Sequence, residues 1–151
     1  MRGQTMRGVT GAVLFGAGLL GAGLPGGGGA AVARLAATPA FYTEAQAEQG
    51  AAIYGERCAM CHGAMLEGTY ETPALTGKFV ANWAGRPVGD LYDYLGRAMP
   101  QFAPGSLSGE DNARVLAYLL KANGYRAGQT ALPADGAGLH RAVLPAPGPA
   151  R

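Results

Sequence analysis

Between residues 41 and 126, apolar side chains recur at helical spacing in three stretches. The first runs from Glu44 to Arg57, with Ala47, Gly50, Ala51 and Tyr54 on one face. Thr43 stands at its N-cap and Gln46 three residues on, a capping-box arrangement. The second covers residues 88–97, with Leu91, Tyr94 and Leu95 as its stripe. Pro87 begins it, Asp90 favours its positive end and Pro100 stops it. The third runs from Gly109 to Ala122 and presents Val115, Leu116, Tyr118, Leu119 and Leu120. Ser108 caps it, Glu110 and Asp111 occupy its first turn, and Asn123-Gly124 supplies a left-handed stop. No segment alternates at period two for long enough to make a strand. The pattern therefore predicts an all-α domain of three main helices and long loops.

The two ends read differently. Arg2 and Arg7 precede an apolar, charge-free run of 16 residues, 9–24, followed by Pro25 and four glycines. Ala31-Val32-Ala33 then has the A-x-A form of a cleavage site, and Ala40 is a second candidate. Residues 1–40 are thus expected to be a signal peptide. An uncleaved membrane anchor is the alternative, although the run is shorter than the ~20 residues a spanning helix needs. Residues 127–151 hold four prolines, four glycines and many alanines without period, and are expected to form a mobile tail. That leaves a domain at 41–126, marginal in length for a purely apolar core unless an apolar cofactor completes it.

Removing the leader also changes the charge. The chain has 12 basic and 10 acidic residues, a formal +2. Removal of residues 1–40 takes away Arg2, Arg7 and Arg34 and no acid, so the remainder is near neutral. Nothing in the balance points to nucleic acid or another polyanion.

The chemistry is concentrated in Cys58-Ala59-Met60-Cys61-His62. This C-x-x-C-H run is the c-type haem attachment pattern. Two thiols three residues apart on a helical turn face the same way, so each can add to one vinyl group of a porphyrin. The following imidazole can then reach the iron. Other readings are a thiol–disulfide redox pair, which normally follows a strand, and a structural disulfide. A zinc site would need a second Cys/His cluster, and the sequence has none.

Across residues 41–126 the chain resembles the class I cytochromes c. Gly50, Tyr54 and Cys58 reproduce the G-x-x-x-aromatic-x-x-x-C helix before the attachment site, and Val115-Leu116-Ala117-Tyr118-Leu119 is similar to the family's last helix. Thr72-Pro73-Ala74-Leu75-Thr76-Gly77 resembles its P-x-L-x-G segment. The resemblance implies the cytochrome c fold wrapped around one covalent haem c. The first and last helices would cross with Gly50 against Val115 and Tyr118. The Pro73 carbonyl would accept the Nδ1 proton of His62. Met99, 37 residues beyond His62 and just before Pro100, stands where the family's axial methionine lies. Of the remaining methionines, Met1 and Met6 are in the leader, Met60 is between the cysteines and Met65 starts on the His62 side. Tyr70, Phe79, Trp83 and Tyr92 are candidates for the haem wall, and Trp83 could donate its indole N–H to a propionate or simply pack. His140 falls in the expected tail.

With His62 and Met99 both on the iron, no coordination position is open to substrate. The resemblance therefore implies a one-electron carrier rather than an enzyme. Its expected place is the periplasm, between a dehydrogenase donor and an oxidase or cytochrome acceptor, with membrane contact only through a retained leader. The style of the motifs also resembles the small cytochromes that serve quinoprotein (PQQ) dehydrogenases. The alternatives are a haem subunit of a larger dehydrogenase or oxidase complex, or a gas- or peroxide-binding haem protein with a labile Met99.

Overall fold

The computed structural model describes residues 39–146, so residues 1–38 of the expected leader lie outside the described residues. Five helices follow in order: α1 (Glu44–Arg57), α2 (Ala59–His62), α3 (Lys78–Trp83), α4 (Val88–Ala98) and α5 (Gly109–Ala122), then one 3-10 turn, Leu139–Arg141. The only β pairing among the described residues is two isolated bridges, Tyr42 with Ala127 and Pro87 with Val143. Among the same residues no helix is long and apolar enough to cross a membrane.

The expected N-caps are made, but the capping box at α1 is not completed, because the Gln46 side chain bonds the Leu132 backbone instead of turning back to Thr43. The Thr43 hydroxyl accepts from the Gln46 amide and the Ser108 hydroxyl from the Asp111 amide, each satisfying one helix-end donor. Helices α1 and α5 cross at Gly50. A Cβ there would stand 1.9 Å from the Arg114 carbonyl oxygen and 3.0 Å from the Tyr118 Cβ. Gly50 therefore meets the backbone at Arg114 and the expected Tyr118. Beside the crossing the Tyr54 and Tyr118 rings pack at 5.2 Å. Leu116, Leu119 and Leu120 of α5 and Leu91 and Leu95 of α4 complete the core.

The expectation of a free C-terminal tail does not hold for residues 127–146. They form a strap that runs from α1 to α4. The Gly128 amide donates to the Tyr42 carbonyl at 2.7 Å. The buried Gln46 side chain binds the Leu132 backbone in both directions, at 2.9 Å each. The Tyr92 hydroxyl donates to the Ala134 carbonyl. Farther on, the Val88 amide donates to Ala142 at 2.8 Å and the Leu144 amide to Arg86 at 2.9 Å. Leu132, Leu139 and Leu144 are buried. The physical reason is that a segment need not be periodic to be ordered. Its backbone polar groups find partners in the helices and neighbouring loops, and isolated leucines supply the apolar contact. The domain accordingly extends beyond residue 126.

Candidate functional site

The end of α1 and the single turn of α2 form one unit. The Cys58 amide closes α1 by donating to the Tyr54 carbonyl at 2.9 Å, and the His62 amide donates to the Cys58 carbonyl at 3.0 Å. Gly63, at φ 80, ends the turn in a region that glycine enters freely. The Tyr54 hydroxyl donates to the Gly63 carbonyl at 2.6 Å. Burial pushes this phenol up to about 12, so it remains a donor through the neutral range. The Gly68 amide donates to the His62 carbonyl at 2.7 Å. His62 is thereby held at its own backbone and on the turn that follows.

The imidazole is buried and its Nδ1 lies 2.9 Å from the Pro73 carbonyl oxygen. A carbonyl only accepts, so Nδ1 carries a proton, and in the neutral ring Nε2 keeps its lone pair. Pro73 is placed by a tight loop. Thr69 donates to the Thr72 carbonyl at 2.8 Å, and Leu75 to the Leu66 carbonyl at 2.9 Å. Gly68 allows the approach: a Cβ there would stand 2.7 Å from the Pro73 carbonyl carbon. Asn123, at the end of α5, ties down the far side by donating to the Leu75 carbonyl and accepting from the Gly77 amide.

His62 opens onto a cavity of about 520 Å³, within the range of cofactor pockets. Cys58, Cys61, His62, Pro73 and Met99 all line it. So do Tyr54, Phe79, Leu95, Val115 and Leu119, which give it an apolar wall. Cys58 is half-buried and Cys61 exposed, and the two are not bonded to each other. Burial pushes the Cys58 thiol up, with Cys61 adding to the rise and Arg57 opposing it, so Cys58 is a protonated thiol at neutral pH. Met99 follows directly on α4, where its amide donates to the Leu95 carbonyl at 3.0 Å.

Trp83 does not line this cavity. Its ring packs 5.5 Å from Tyr94 and lies under the Arg86 guanidinium, 4.5 Å away. The indole is held in an aromatic stack with Tyr94 and Phe79. Tyr92 faces the strap, while Tyr70, Met60 and Met65 are exposed. His140 lies on the outer face of α4, 3.6 Å from Asp90 and 3.2 Å from Asp93. The sequence pattern assigns Tyr94 and Phe102 to packing and gives Arg57 no role, yet all three line the cavity. Arg57 immediately precedes Cys58, and that adjacency was the available signal.

Among the described residues no group of three or more His, Cys, Asp and Glu side chains could hold a metal ion by itself. The donor set is instead two thiols, one imidazole with its outer nitrogen fixed, and one thioether, around an apolar cavity. That set fits a haem: thiols for the macrocycle edge, nitrogen and sulfur for the iron, and an apolar wall for the ring.

Comparison with known proteins agrees with this geometry. The family model described as cytochrome c oxidase, cbb3-type, subunit III, matches residues 45–119. Among solved structures, the sulfane dehydrogenase SoxCD from Paracoccus pantotrophus is similar, at 28% identity and a TM-score of 0.50. The match covers 66% of this chain and 53% of that one, so the chain spans about half the length of its structural relative. No curated protein matches.

Proposed function

We propose, from the premise that this chain is a class I-like c-type cytochrome with the all-α cytochrome c fold, that it is a periplasmic one-electron carrier. In this reading one haem c is held through Cys58 and Cys61, with His62 and Met99 as the residues on its iron. When bound, the group supplies a reversible one-electron couple. The rest belongs to the chain. The Pro73 carbonyl keeps the proton on Nδ1 and so strengthens Nε2 as a donor. Met99 offers a soft thioether, which favours the reduced metal and raises the potential. The apolar wall of Leu95, Val115 and Leu119 keeps water away.

The observation that carries the reading is the hydrogen bond from His62 Nδ1 to Pro73, beside a cavity that both cysteines and Met99 line. Similarity to a chain of a sulfane dehydrogenase supports a dehydrogenase as electron donor. The quinoprotein class remains the narrower expectation from the motifs. The same similarity favours one second reading, a haem domain working inside a dehydrogenase complex, which co-purification would reveal. The periplasmic assignment rests on the leader-like residues 1–40 and on the attachment motif.

A visible spectrum of the exported protein tests the core of the proposal. The expected result is the sharp reduced bands of low-spin haem c and a weak sulfur-to-iron band in the ferric form. A high-spin spectrum would remove Met99 from the iron. A protein without haem absorption, made in cells competent to attach it, would return Cys58 and Cys61 to the disulfide reading.

A further inference from the structure

Residues 100–107 link Met99 to the cap of α5. They are internally turned, with the Ala103 amide donating to the Pro100 carbonyl at 2.9 Å and Ser106 to Ala103 at 3.2 Å. Among the described residues, one hydrogen bond ties this loop to another element. The Arg57 guanidinium donates to the Ser106 hydroxyl at 2.8 Å. The same guanidinium lies 5.9 Å from the centre of the Phe102 ring, within reach of a cation–π contact. Arg57 is the last residue of α1, and the Cys58 amide beside it is bonded to Tyr54. Its backbone therefore cannot move without disturbing the attachment turn. Arg57 and Phe102 both line the cavity, and among the described residues Arg57 is the one Lys or Arg that does so.

We propose that Arg57 is a positioning residue, a clasp from α1 to Ser106 and Phe102 that holds the Met99 loop across the cavity and sets how readily the thioether leaves. This rests on the His62/Met99 ligation proposed above. The clasp joins the cysteine side of the cavity to the methionine side. Opening it frees the loop without altering Met99, His62 or either thiol. A small ligand that needs the methionine's position binds in proportion to the fraction of molecules whose loop is open. A hydrogen bond from a charged donor and a cation–π contact each correspond to roughly a few-fold in such an equilibrium.

The test is imidazole titration of the ferric holoprotein, followed in the visible spectrum. Arg57→Gln and Ser106→Ala are each expected to raise apparent imidazole affinity by about three- to tenfold. Arg57→Lys keeps the charge and one donor and is expected to recover part of the wild-type value. If Arg57→Gln attaches haem poorly, Ser106→Ala and Phe102→Leu break the same contacts from the loop side. Unchanged affinity in the loop variants overturns the clasp, whether or not they melt earlier. So does a lowered midpoint potential in Arg57→Gln with unchanged imidazole binding, because Arg57 would then act only as a nearby charge. A wild-type protein without the sulfur-to-iron band would sink the ligation reading first, and the clasp with it.

Discussion

At the scale of single residues, a backbone carbonyl decides what the imidazole can do. Pro73 fixes the tautomer of His62 from a loop held by Gly68 and Asn123, so the ring is ready to donate through Nε2. Met99 has no comparable support, being the first residue past α4 and the head of a loop with one external hydrogen bond. Met99→Ala is therefore expected to leave haem covalently attached but to open the iron to carbon monoxide. A carbon monoxide difference spectrum of the reduced variant checks this, and retention of the thioether band would exclude Met99. Tyr42 illustrates a different role. Its buried hydroxyl donates to the Tyr125 carbonyl at 2.6 Å, and burial, with Glu44 adding, raises its pKa above the ordinary 10.0. The folded protein thus resists ionising this phenol more than the unfolded chain does. Its stabilising contribution is complete below the ordinary value and is lost as the pH climbs through the raised one. Tyr42→Phe is expected to cost about 1 kcal/mol at neutral pH, through the lost hydrogen bond. Above the ordinary tyrosine pKa the gap to wild type should narrow. Urea titrations on both sides of that value measure it.

At the scale of elements, the crossing of α1 and α5 brings the attachment helix against the rest of the core. Gly50 allows it, because a Cβ would fall 1.9 Å from the Arg114 carbonyl, an atom that cannot swing aside. Gly50→Ala is expected to destabilise by about 3 kcal/mol or more, outweighing the roughly 1 kcal/mol that alanine gains in a helix. Thermal unfolding of the holoprotein checks this, and a neutral or stabilised variant would mean the crossing can open without loss. The helices that make the crossing were legible because their signals are local: Thr43 and Ser108 at the caps, and stripes several turns long. Even so, the contact at Arg114 was not legible, since a backbone atom leaves no mark in a hydrophobic pattern. The four residues of α2 and six of α3 are too short for a 3.6-residue period to register. Five of the six expected site residues line one cavity, because Cys58, Cys61 and His62 share a turn and the P-x-L-x-G and Met-Pro segments are recognisable as strings. Trp83 is less legible, because a sequence does not distinguish an indole stacked among Tyr94, Phe79 and Arg86 from one that faces a cofactor.

At the scale of the molecule, the strap changes what the domain is made of. Its composition resembles that of a disordered segment, and period-based reading finds nothing in it. Yet Leu132, Leu139 and Leu144 are each buried, at 3%, 6% and 1% of their exposed area. Glycines let it lie close to the helices: a Cβ on Gly109 would stand 2.1 Å from the Ala134 carbonyl oxygen, and one on Gly136 2.9 Å from the Tyr92 ring. Strap residues contribute nothing to the cavity lining, which ends with Val115 and Leu119 of α5. Stability and site geometry should therefore separate when the strap is removed. A chain ending at Arg126 loses three buried leucines and leaves the Gln46 side chain without its two partners. The expected cost is about 2–5 kcal/mol, of the order of one large buried side chain once the ordering of the strap is counted. For a domain of this size that lowers Tm by at least about 8 °C. Well below that melting point, the ferric and reduced spectra and the midpoint potential should match those of the full chain. Calorimetry beside a redox titration reads both quantities. A truncated protein with wild-type Tm would make the strap a passenger. One whose spectrum changes while it is still folded would mean that the strap holds α4, and with it Met99, in register with the cavity.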